Sequence, residues 1–151
     1  MFRPARPDEA DLLGEIMLAG VRHWGHHENH PEAYAGLAGH TPDGDHIEQH
    51  PTWVMEEDGE VAGFYGLVPA EDHVELLMMF LTVDRIGTGL GRRLWDHAVS
   101  EAARYGSRMR IGSDPSATGF YAAMGAELER TVEVAPGFEL SIFWYDLSRS
   151  R

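Results

Sequence analysis

The sequence predicts an α/β domain built on a mixed, mostly antiparallel sheet with flanking helices and one central parallel strand-helix-strand crossover. Three features support this prediction. An Asp-Gly turn between two apolar stretches predicts a hairpin within residues 52–68. An amphipathic helical pattern between two strand-like stretches predicts the crossover within residues 73–111. A Pro-Gly turn joins two final strand-like stretches within residues 127–147 and predicts a second hairpin.

The N-terminal half alternates strand and helix patterns around one irregular segment. Residues 2–6 ("FRPAR") predict a short first strand, after which Pro7-Asp8 opens a helix. The apolar residues at helical spacing in that helix are Leu12, Leu13, Ile16, Met17 and Val21. Between residues 23 and 51 the periodicity breaks up, and one short helix is predicted at residues 31–38. The hairpin follows, and "HVELLMMFLTV" at residues 73–83 predicts a further strand.

The C-terminal half continues with an amphipathic helix, a short strand, a second helix and the closing hairpin. The apolar face of the first of these helices consists of Leu90, Leu94, Ala98 and Ala102. Gly106 is placed to end that helix, and "RMRI" at residues 108–111 predicts the short strand. Asp114-Pro115 is predicted as the N-cap and first-turn proline of the second helix, which Gly125 follows. No repeat is present, and residues 1–151 are expected to form one domain.

The charge balance restricts the classes of partner. The 151 residues include 25 acidic and 12 basic residues, the latter all arginine, for a formal net charge of −13. An acidic surface repels the phosphate groups of nucleic acids and anionic membranes, so neither is an expected partner. The same surface attracts cations, which favours a positively charged substrate such as an amine.

Two residue types are missing from the sequence, and their absence excludes several chemistries. Without lysine there is no P-loop lysine and no Schiff-base nucleophile. Without cysteine there is no thiol nucleophile, disulfide or thiolate metal site. The polar start "MFRPARPDEAD" does not resemble a signal peptide, and the longest apolar run, at residues 76–81, is far shorter than the ~20 residues of a transmembrane helix. A soluble cytoplasmic protein is therefore expected.

The stretch "VDRIGTGLGRRLW" at residues 83–95 places three glycines at alternate positions between a predicted strand and a predicted helix. A helix N-terminus offers unpaired N–H groups and the positive end of its dipole, and Arg85, Arg92 and Arg93 add positive charge. The alternative is an ordinary tight turn. The absence of lysine excludes a P-loop, and Leu94 at the third glycine position excludes the dinucleotide fingerprint. A phosphate cradle of another kind is therefore predicted.

Two short motifs, one in the glycine stretch and one near residue 120, occur together in one known family. The first is Arg or Gln, two residues, then Gly-x-Gly or Gly-x-Ala; Gly89-Leu90-Gly91 matches its end, whereas Ile86 stands at the Arg/Gln position. The second is matched within "DPSATGFYAAMGA" by Asp114, Ala117, Phe120, Tyr121 and Gly125. In these motifs the chain resembles the GNAT superfamily of acetyl-CoA-dependent N-acetyltransferases. The resemblance is closest over residues 75–126 and implies a GNAT-like fold.

The resemblance also implies acetyl-CoA as co-substrate and no metal cofactor. In this family the pantetheine arm pairs with the fourth strand, the pyrophosphate sits on the amides of the following loop, and the fourth and fifth strands separate to admit the cofactor. The implied acetyl-CoA contacts are Leu81, Thr82 and Val83 of the strand, Gly87, Thr88, Gly89, Leu90, Gly91 and Arg92 of the loop, and Asp114 and Phe120 of the second motif.

Two catalytic residues are implied in the same way. Tyr121 matches the tyrosine that often protonates the departing CoA thiolate, and its alternative role is packing beside Phe120. Glu75 lies at a suitable distance before the glycine loop to act as general base; burial would raise its pKa, and its alternative is an exposed strand end. The implied reaction is direct attack of a primary amine, of a small molecule or a peptide, on acetyl-CoA in a ternary complex.

The irregular segment contains seven of the nine histidines. His23, His26, His27 and His30 would share a helical face if the helix continued past Gly25, but no H-E-x-x-H motif is present. The segment is interpreted as the wall of the acceptor site. Trp24 and Tyr34 are the candidate acceptor contacts, and the alternative for Trp24 is a core position.

Two other functions remain open from the sequence. One is a GNAT-like module that binds acyl-CoA without transferring the acyl group, and the other is a histidine-rich metal or pH sensor on the same scaffold. A homodimer through the two closing strands is compatible with the pattern.

Overall fold

The protein is described by a computed structural model over residues 1–38 and 41–150, apart from the side chains of residues 26, 27, 33, 36–38, 149 and 150. The strands are β1 (Phe2–Pro4), β2 (Thr52–Glu57), β3 (Glu60–Pro69), β4 (Val74–Leu81), β5 (Arg108–Ser113), β6 (Glu127–Ala135) and β7 (Phe138–Asp146). They form a seven-stranded sheet in the order β1-β2-β3-β4-β5-β7-β6, in which β4 and β5 are parallel and the other neighbours antiparallel. This arrangement confirms the predicted fold class.

The helices of the described residues are α1 (Ala10–His23), α2 (His26–Asn29), α3 (Pro31–Ala38), α4 (Gly44–Gln49), α5 (Leu90–Ala102) and α6 (Thr118–Ala123), with single 3₁₀ turns at Pro7–Glu9, Val83–Arg85 and Leu147–Ser150. Helices α2 and α4 were not predicted. Gly25 has a φ of 76° and separates α1 from α2, so the histidines do not continue one helical face. None of these helices has the length and apolar content needed to cross a bilayer.

Three predicted boundaries are wrong by a few residues. The chain leaves β4 after Leu81 and enters a 3₁₀ turn, so Val83 is not part of the strand. Helix α5 ends at Ala102, before Gly106. The N-cap of α6 is Ala117, because the Asp114 carboxylate accepts a hydrogen bond from the Ser116 backbone N–H at 2.9 Å and holds a turn before the helix.

The sheet carries a hydrophobic core on each face. On one face α5 packs against the strands, and the largest buried residues there include Tyr65, Leu94, Met109 and Ile111. On the other face α1 packs through Leu13 and Met17 against Val54, Phe64 and Met78. Strand β3 is therefore buried on both sides, and this explains its nearly continuous apolar sequence.

Strands β4 and β5 pair over three residues and then separate. The paired residues are Val74–Leu76 in β4 and Met109–Ile111 in β5, and β4 continues to Leu81 without a β5 partner. On its other edge the end of β4 lies unusually close to β3, because a Cβ at Gly63 would be 2.7 Å from the Phe80 carbonyl oxygen. The separation implied by the resemblance is therefore present, and β3 fixes the position of the free end of β4.

The N-terminus is held against β2. The α-amino group of Met1 donates to the Glu56 carbonyl oxygen at 2.9 Å. The Arg3 guanidinium bridges two carboxylates, donating to Glu9 at 2.7 and 2.8 Å and to Glu56 at 2.9 Å. At the opposite edge of the sheet lies β6, and a homodimer through β6 and β7 stays a prediction.

Candidate active site

A cavity of about 460 Å³ lies where β4 and β5 have separated. Its walls come from four parts of the chain: the end of α1, the end of β4, the glycine loop with the start of α5, and the segment from Asp114 through α6. The predicted site residues that line it are Trp24, Leu81, Gly87, Gly89, Gly91, Arg92, Asp114, Phe120 and Tyr121. The structure thus brings together residues that are up to 97 positions apart in the sequence, from Trp24 to Tyr121.

The glycine loop presents bare backbone to the cavity. Gly87 and Gly89 have φ values of 82° and 88°, and a Cβ at either position would meet nothing within 4 Å. Gly89 is the N-cap of α5, whose 13 residues direct their unpaired first-turn N–H groups and dipole toward the loop. Open backbone at a helix N-terminus is suited to an anionic group, as predicted from the sequence.

The arginines around the loop have different roles. Arg92 lines the cavity. Arg85 does not: its guanidinium contacts Glu57 at 3.3 Å and Glu60 at 3.4 Å, and donates to the Thr82 hydroxyl at 3.0 Å. Arg85 therefore ties the start of the loop to the β2–β3 hairpin. Ile86, at the position where the family motif has Arg or Gln, faces the cavity instead.

Tyr121 is both a packing residue and a cavity residue. Its ring lies 5.4 Å from that of Phe120, 5.8 Å from that of Trp95 and 6.1 Å from that of Phe143. Its side chain is 7% exposed, and this burial raises the pKa of the hydroxyl above its ordinary value. The phenol is therefore protonated throughout the neutral pH range.

Glu75 lies outside the cavity lining. It is near the start of β4, six residues before Leu81, which corresponds to roughly 20 Å of extended strand. Its carboxylate accepts a hydrogen bond from Arg110 at 3.0 Å and contacts His73 Nε2 at 2.8 Å. Hydrogen bonds to Asp72, whose Oδ1 lies 2.7 Å from His73 Nδ1, and to Glu75 raise the pKa of His73. The structure therefore places Glu75 in an ion-pair network at the closed end of the β4–β5 pair.

Four further predicted cofactor contacts do not line the cavity. Thr82 donates its backbone N–H to Ala62 at 2.9 Å, and Val83 lies in the 3₁₀ turn. The Thr88 hydroxyl donates to the Arg85 carbonyl oxygen at 2.5 Å. Leu90 is buried in the core beneath α5. The strand residues that line the cavity are the predicted Leu81 and, earlier in β4, Met79 and Phe80.

The predicted acceptor contacts separate in the structure. Trp24 is 48% exposed and lines the cavity, so the alternative of a core position is wrong. Tyr34 lies elsewhere: its hydroxyl accepts a hydrogen bond from Arg22 Nε at 2.9 Å, and the same guanidinium lies 5.8 Å from its ring.

Several residues that line the cavity were not predicted from the sequence. They are Gly20, Val21, Met79, Phe80, Ile86, Leu94, Ser116, Ala117 and Met124. Ile86 and the β4 residues adjoin the first motif and could have been included on that ground. No local sequence motif marks Gly20 and Val21 as cavity residues. They reach the cavity because α1 packs against β4, and a Cβ at Gly20 would lie 3.4 Å from Phe80 Cδ1.

The described part of the histidine-rich segment does not form a ligand cluster. Among the side chains that the structure describes, no three His, Asp or Glu groups lie together as metal ligands. The side chains of His26 and His27, and residue 40, are outside that description. His46 and His50 lie with ring centroids 4.7 Å apart, and burial lowers the pKa of His46.

Solved structures with the same fold come from several acetyltransferases. A GCN5-related N-acetyltransferase from Rhodopseudomonas palustris is 20% identical, with a TM-score of 0.79 over 97% of this chain and 94% of that one. The PaiA N-acetyltransferase from Thermoplasma acidophilum, in complex with coenzyme A, is 16% identical, with a TM-score of 0.74 over 97% and 98%. Ribosomal-protein-alanine N-acetyltransferase from Brucella melitensis is 18% identical, with a TM-score of 0.70 over 97% and 99%.

Sequence comparison assigns the family directly. No curated protein sequence matches the chain. The family model described as "Acetyltransferase (GNAT) domain" matches residues 20–134, which include the end of α1, the glycine loop and the whole of α6. With the fold and both motifs in agreement, the chain belongs to the GNAT acetyltransferase family.

Proposed function

We propose that the protein is an acetyl-CoA-dependent N-acetyltransferase that moves the acetyl group to a primary amine of a small molecule or peptide by direct attack in a ternary complex. One observation carries this proposal: a single cavity joins the exposed backbone of the glycine loop to the Tyr121 side chain and to a separate wall from α1. A transferase for two substrates needs both within one groove, because positioning supplies most of the rate acceleration.

The loop fits the pyrophosphate of acetyl-CoA. Open backbone at Gly87 and Gly89, the N-terminus of α5 and the side chain of Arg92 all favour a phosphate group there. The related protein from Thermoplasma acidophilum is in complex with coenzyme A, which supports the same ligand here. Acetyl-CoA supplies a thioester-bound acetyl group. Leu81 lines the cavity at the free end of β4 and is the proposed contact of the pantetheine arm.

Tyr121 is the proposed general acid. Its hydroxyl is protonated at neutral pH and its ring is held by three aromatic neighbours, so it can donate a proton to the sulfur as the C–S bond breaks. The amine nitrogen forms the new C–N bond, and the proton that it loses restores the phenol. Glu75 has no direct part in this proposal because its oxygens contact Arg110 and His73 away from the cavity. Among the described residues that line the cavity, Asp114 is the one with a carboxylate side chain.

The test of cofactor binding is Gly89→Asp. The substitution adds a negative charge at the proposed pyrophosphate site, and calorimetry should show loss of acetyl-CoA binding by at least a hundredfold. Gly59→Asp is the matched control, because Gly59 also has a positive φ (79°) and open space around a Cβ, but lies in the β2–β3 turn outside the cavity lining. The control should bind acetyl-CoA like the parent protein. Equal affinity in both variants would overturn the proposed phosphate site.

The second candidate function is a module that binds acyl-CoA without transferring it. The position of Glu75 favours it, since the predicted base is engaged at the other end of β4. Release of CoA that depends on added amine, with equal formation of N-acetylated product, separates transfer from binding alone.

A further inference from the structure

We propose that the acceptor is an amine carried on a flat apolar body without a second charge, and that Trp24 selects it. This inference rests on the proposed acetyl transfer and names its substrate class. It follows from how α1 ends against the cavity and from the chemistry of the wall that this end forms.

Trp24 stands at the C-terminal end of α1, which packing holds in place. One turn earlier Gly20 lies against Phe80 of β4, where a Cβ would be 3.4 Å from Cδ1. A Cβ there would already be in van der Waals contact, so a side chain larger than that of alanine would push α1 away from β4. The end of α1 that carries the indole therefore lies at a fixed distance from β4. The His23 ring makes an edge contact with the indole, with the ring centroids 4.8 Å apart.

The Trp24 indole is exposed to solvent and also lines the cavity. Its side chain is 48% exposed, although it lines the cavity together with Val21, Met79 and Phe80. A large apolar side chain left open to solvent inside a concave site is typical of a ligand contact. Folding leaves its apolar surface in water, so burial of that surface against a ligand is favourable.

The charged residues of the cavity come from elements other than α1 and β4. Arg92 belongs to the first turn of α5, and Asp114 follows β5. The described residues that α1 and β4 contribute are Gly20, Val21, Trp24, Met79, Phe80 and Leu81, none of which ionises. A second ammonium group or a carboxylate on the acceptor would lose its hydration against this wall without gaining a partner there. An aromatic ring would instead stack on the indole.

A matched set of amines tests the inference with the full-length protein. We expect 2-phenylethylamine to have a kcat/KM at least tenfold higher than ethylamine, which lacks the body. It should exceed 1,4-diaminobutane and phenylalanine, which carry a second charge, by a similar factor. Trp24→Ala should lower the ratio of kcat/KM for 2-phenylethylamine to that for ethylamine by about tenfold, and Trp24→Phe should restore most of it. The acetyl-CoA dissociation constant should change less than twofold in both variants.

Tyr105→Ala is the matched control. Tyr105 is 43% exposed, close to the value for Trp24, but lies beyond α5 and outside the cavity lining, so its removal should leave the ratio unchanged. Preference for the diamine, for phenylalanine or for ethylamine, or a ratio unaffected by Trp24→Ala, would overturn the inference while leaving the proposed transferase intact. Failure of the parent protein to bind acetyl-CoA would instead overturn the proposed function.

Discussion

Tyr121 combines two properties that usually occur apart. Its ring is packed among Trp95, Phe120 and Phe143, and its hydroxyl belongs to a residue that lines the cavity. The packing restricts the ring to one orientation, and burial keeps the phenol protonated by raising its pKa. As the proposed proton donor, Tyr121 would therefore lose little conformational entropy on reaching its substrate.

Replacing Tyr121 with phenylalanine preserves the ring and removes the proton. We expect kcat to fall by roughly 10²–10⁴ with little change in acetyl-CoA affinity, because the proposed proton donation to the thiolate would be lost and the packing kept. Steady-state kinetics from pH 6 to 9, with calorimetry for binding, measure both quantities. Tyr105→Phe removes a hydroxyl from an exposed residue outside the cavity lining and should leave both quantities unchanged. Equal kcat in Tyr121→Phe, with chemistry shown to limit the rate, would mean that Tyr121 only packs.

Single residues differ in how well the sequence predicts their place. The glycines and Tyr121 were predicted because local motifs contain them, and the structure puts them in one cavity. Glu75 was assigned to the active site from its spacing along the chain, but its environment depends on Arg110, which stands opposite it in β5. The exposure of Trp24 likewise depends on the tertiary contact of Gly20 with Phe80, which helical periodicity does not show.

At the scale of secondary-structure elements, the site depends on the course of β4. The strand pairs with β5 only near its start, while β3 accompanies it to Leu81. The two strands lie close together at Gly63, where a Cβ would be 2.7 Å from the Phe80 carbonyl oxygen. Phe80 and Leu81 line the cavity, so the distance between β3 and β4 also sets the position of one wall of the site.

Gly63→Ala should therefore affect stability and ligand binding together. The added methyl group must displace the backbone of β4, and we expect a loss of about 1–3 kcal/mol in the free energy of unfolding, with weaker acetyl-CoA binding. Gly112→Ala in β5 is the control, since the nearest neighbour of a Cβ there would be Leu140 Cδ1 of β7, at 3.8 Å. The control should change stability by less than about 0.5 kcal/mol in urea titrations. Equal stability of the two variants would contradict the close approach of β3 and β4.

Elements with strong periodicity were predicted well, and those defined by side-chain hydrogen bonds were not. Strands β2, β3 and β7 and helices α1 and α5 follow the apolar patterns closely. Helix α4 has six residues and depends on Asp43, whose side chain accepts from the His46 backbone N–H at 2.8 Å. At α6 the same type of interaction works in the opposite sense, because Asp114 stabilises a turn and delays the helix to Thr118.

At the scale of the whole molecule, an acidic chain must tolerate repulsion among 25 carboxylates. Glu9 is one that folding stabilises in its charged form. Its side chain is 7% exposed, receives two hydrogen bonds from Arg3 at 2.7 and 2.8 Å, and accepts the Arg6 backbone N–H at 2.8 Å. Hydrogen bonding to Arg3, with a smaller contribution from Arg6, lowers the pKa of Glu9 from 4.5 to about 2. This group links β1, β2 and the turn before α1.

The Glu9 interaction should make stability depend on pH. A lowered pKa in the folded state contributes stability above the unfolded value of 4.5, and the contribution is lost as the pH falls through about 2. Glu9→Gln should therefore cost about 3 kcal/mol at pH 7, and the difference from the parent protein should fall below half of that by about pH 3. Urea titrations of both proteins at several pH values measure this difference in the free energy of unfolding. Glu48→Gln removes an exposed carboxylate from α4 and should cost little at any pH; a Glu9→Gln effect independent of pH would rule out the charged interaction.

The absence of lysine from the sheet and the helices has a practical consequence for measuring the reaction. None of the 151 residues carries an aliphatic amine on its side chain, so incubation with acetyl-CoA cannot acetylate a lysine of the protein itself. An amine-reactive dye likewise labels no lysine in any strand or helix, so the acceptor that remains after a reaction can be quantified with the enzyme still in the mixture.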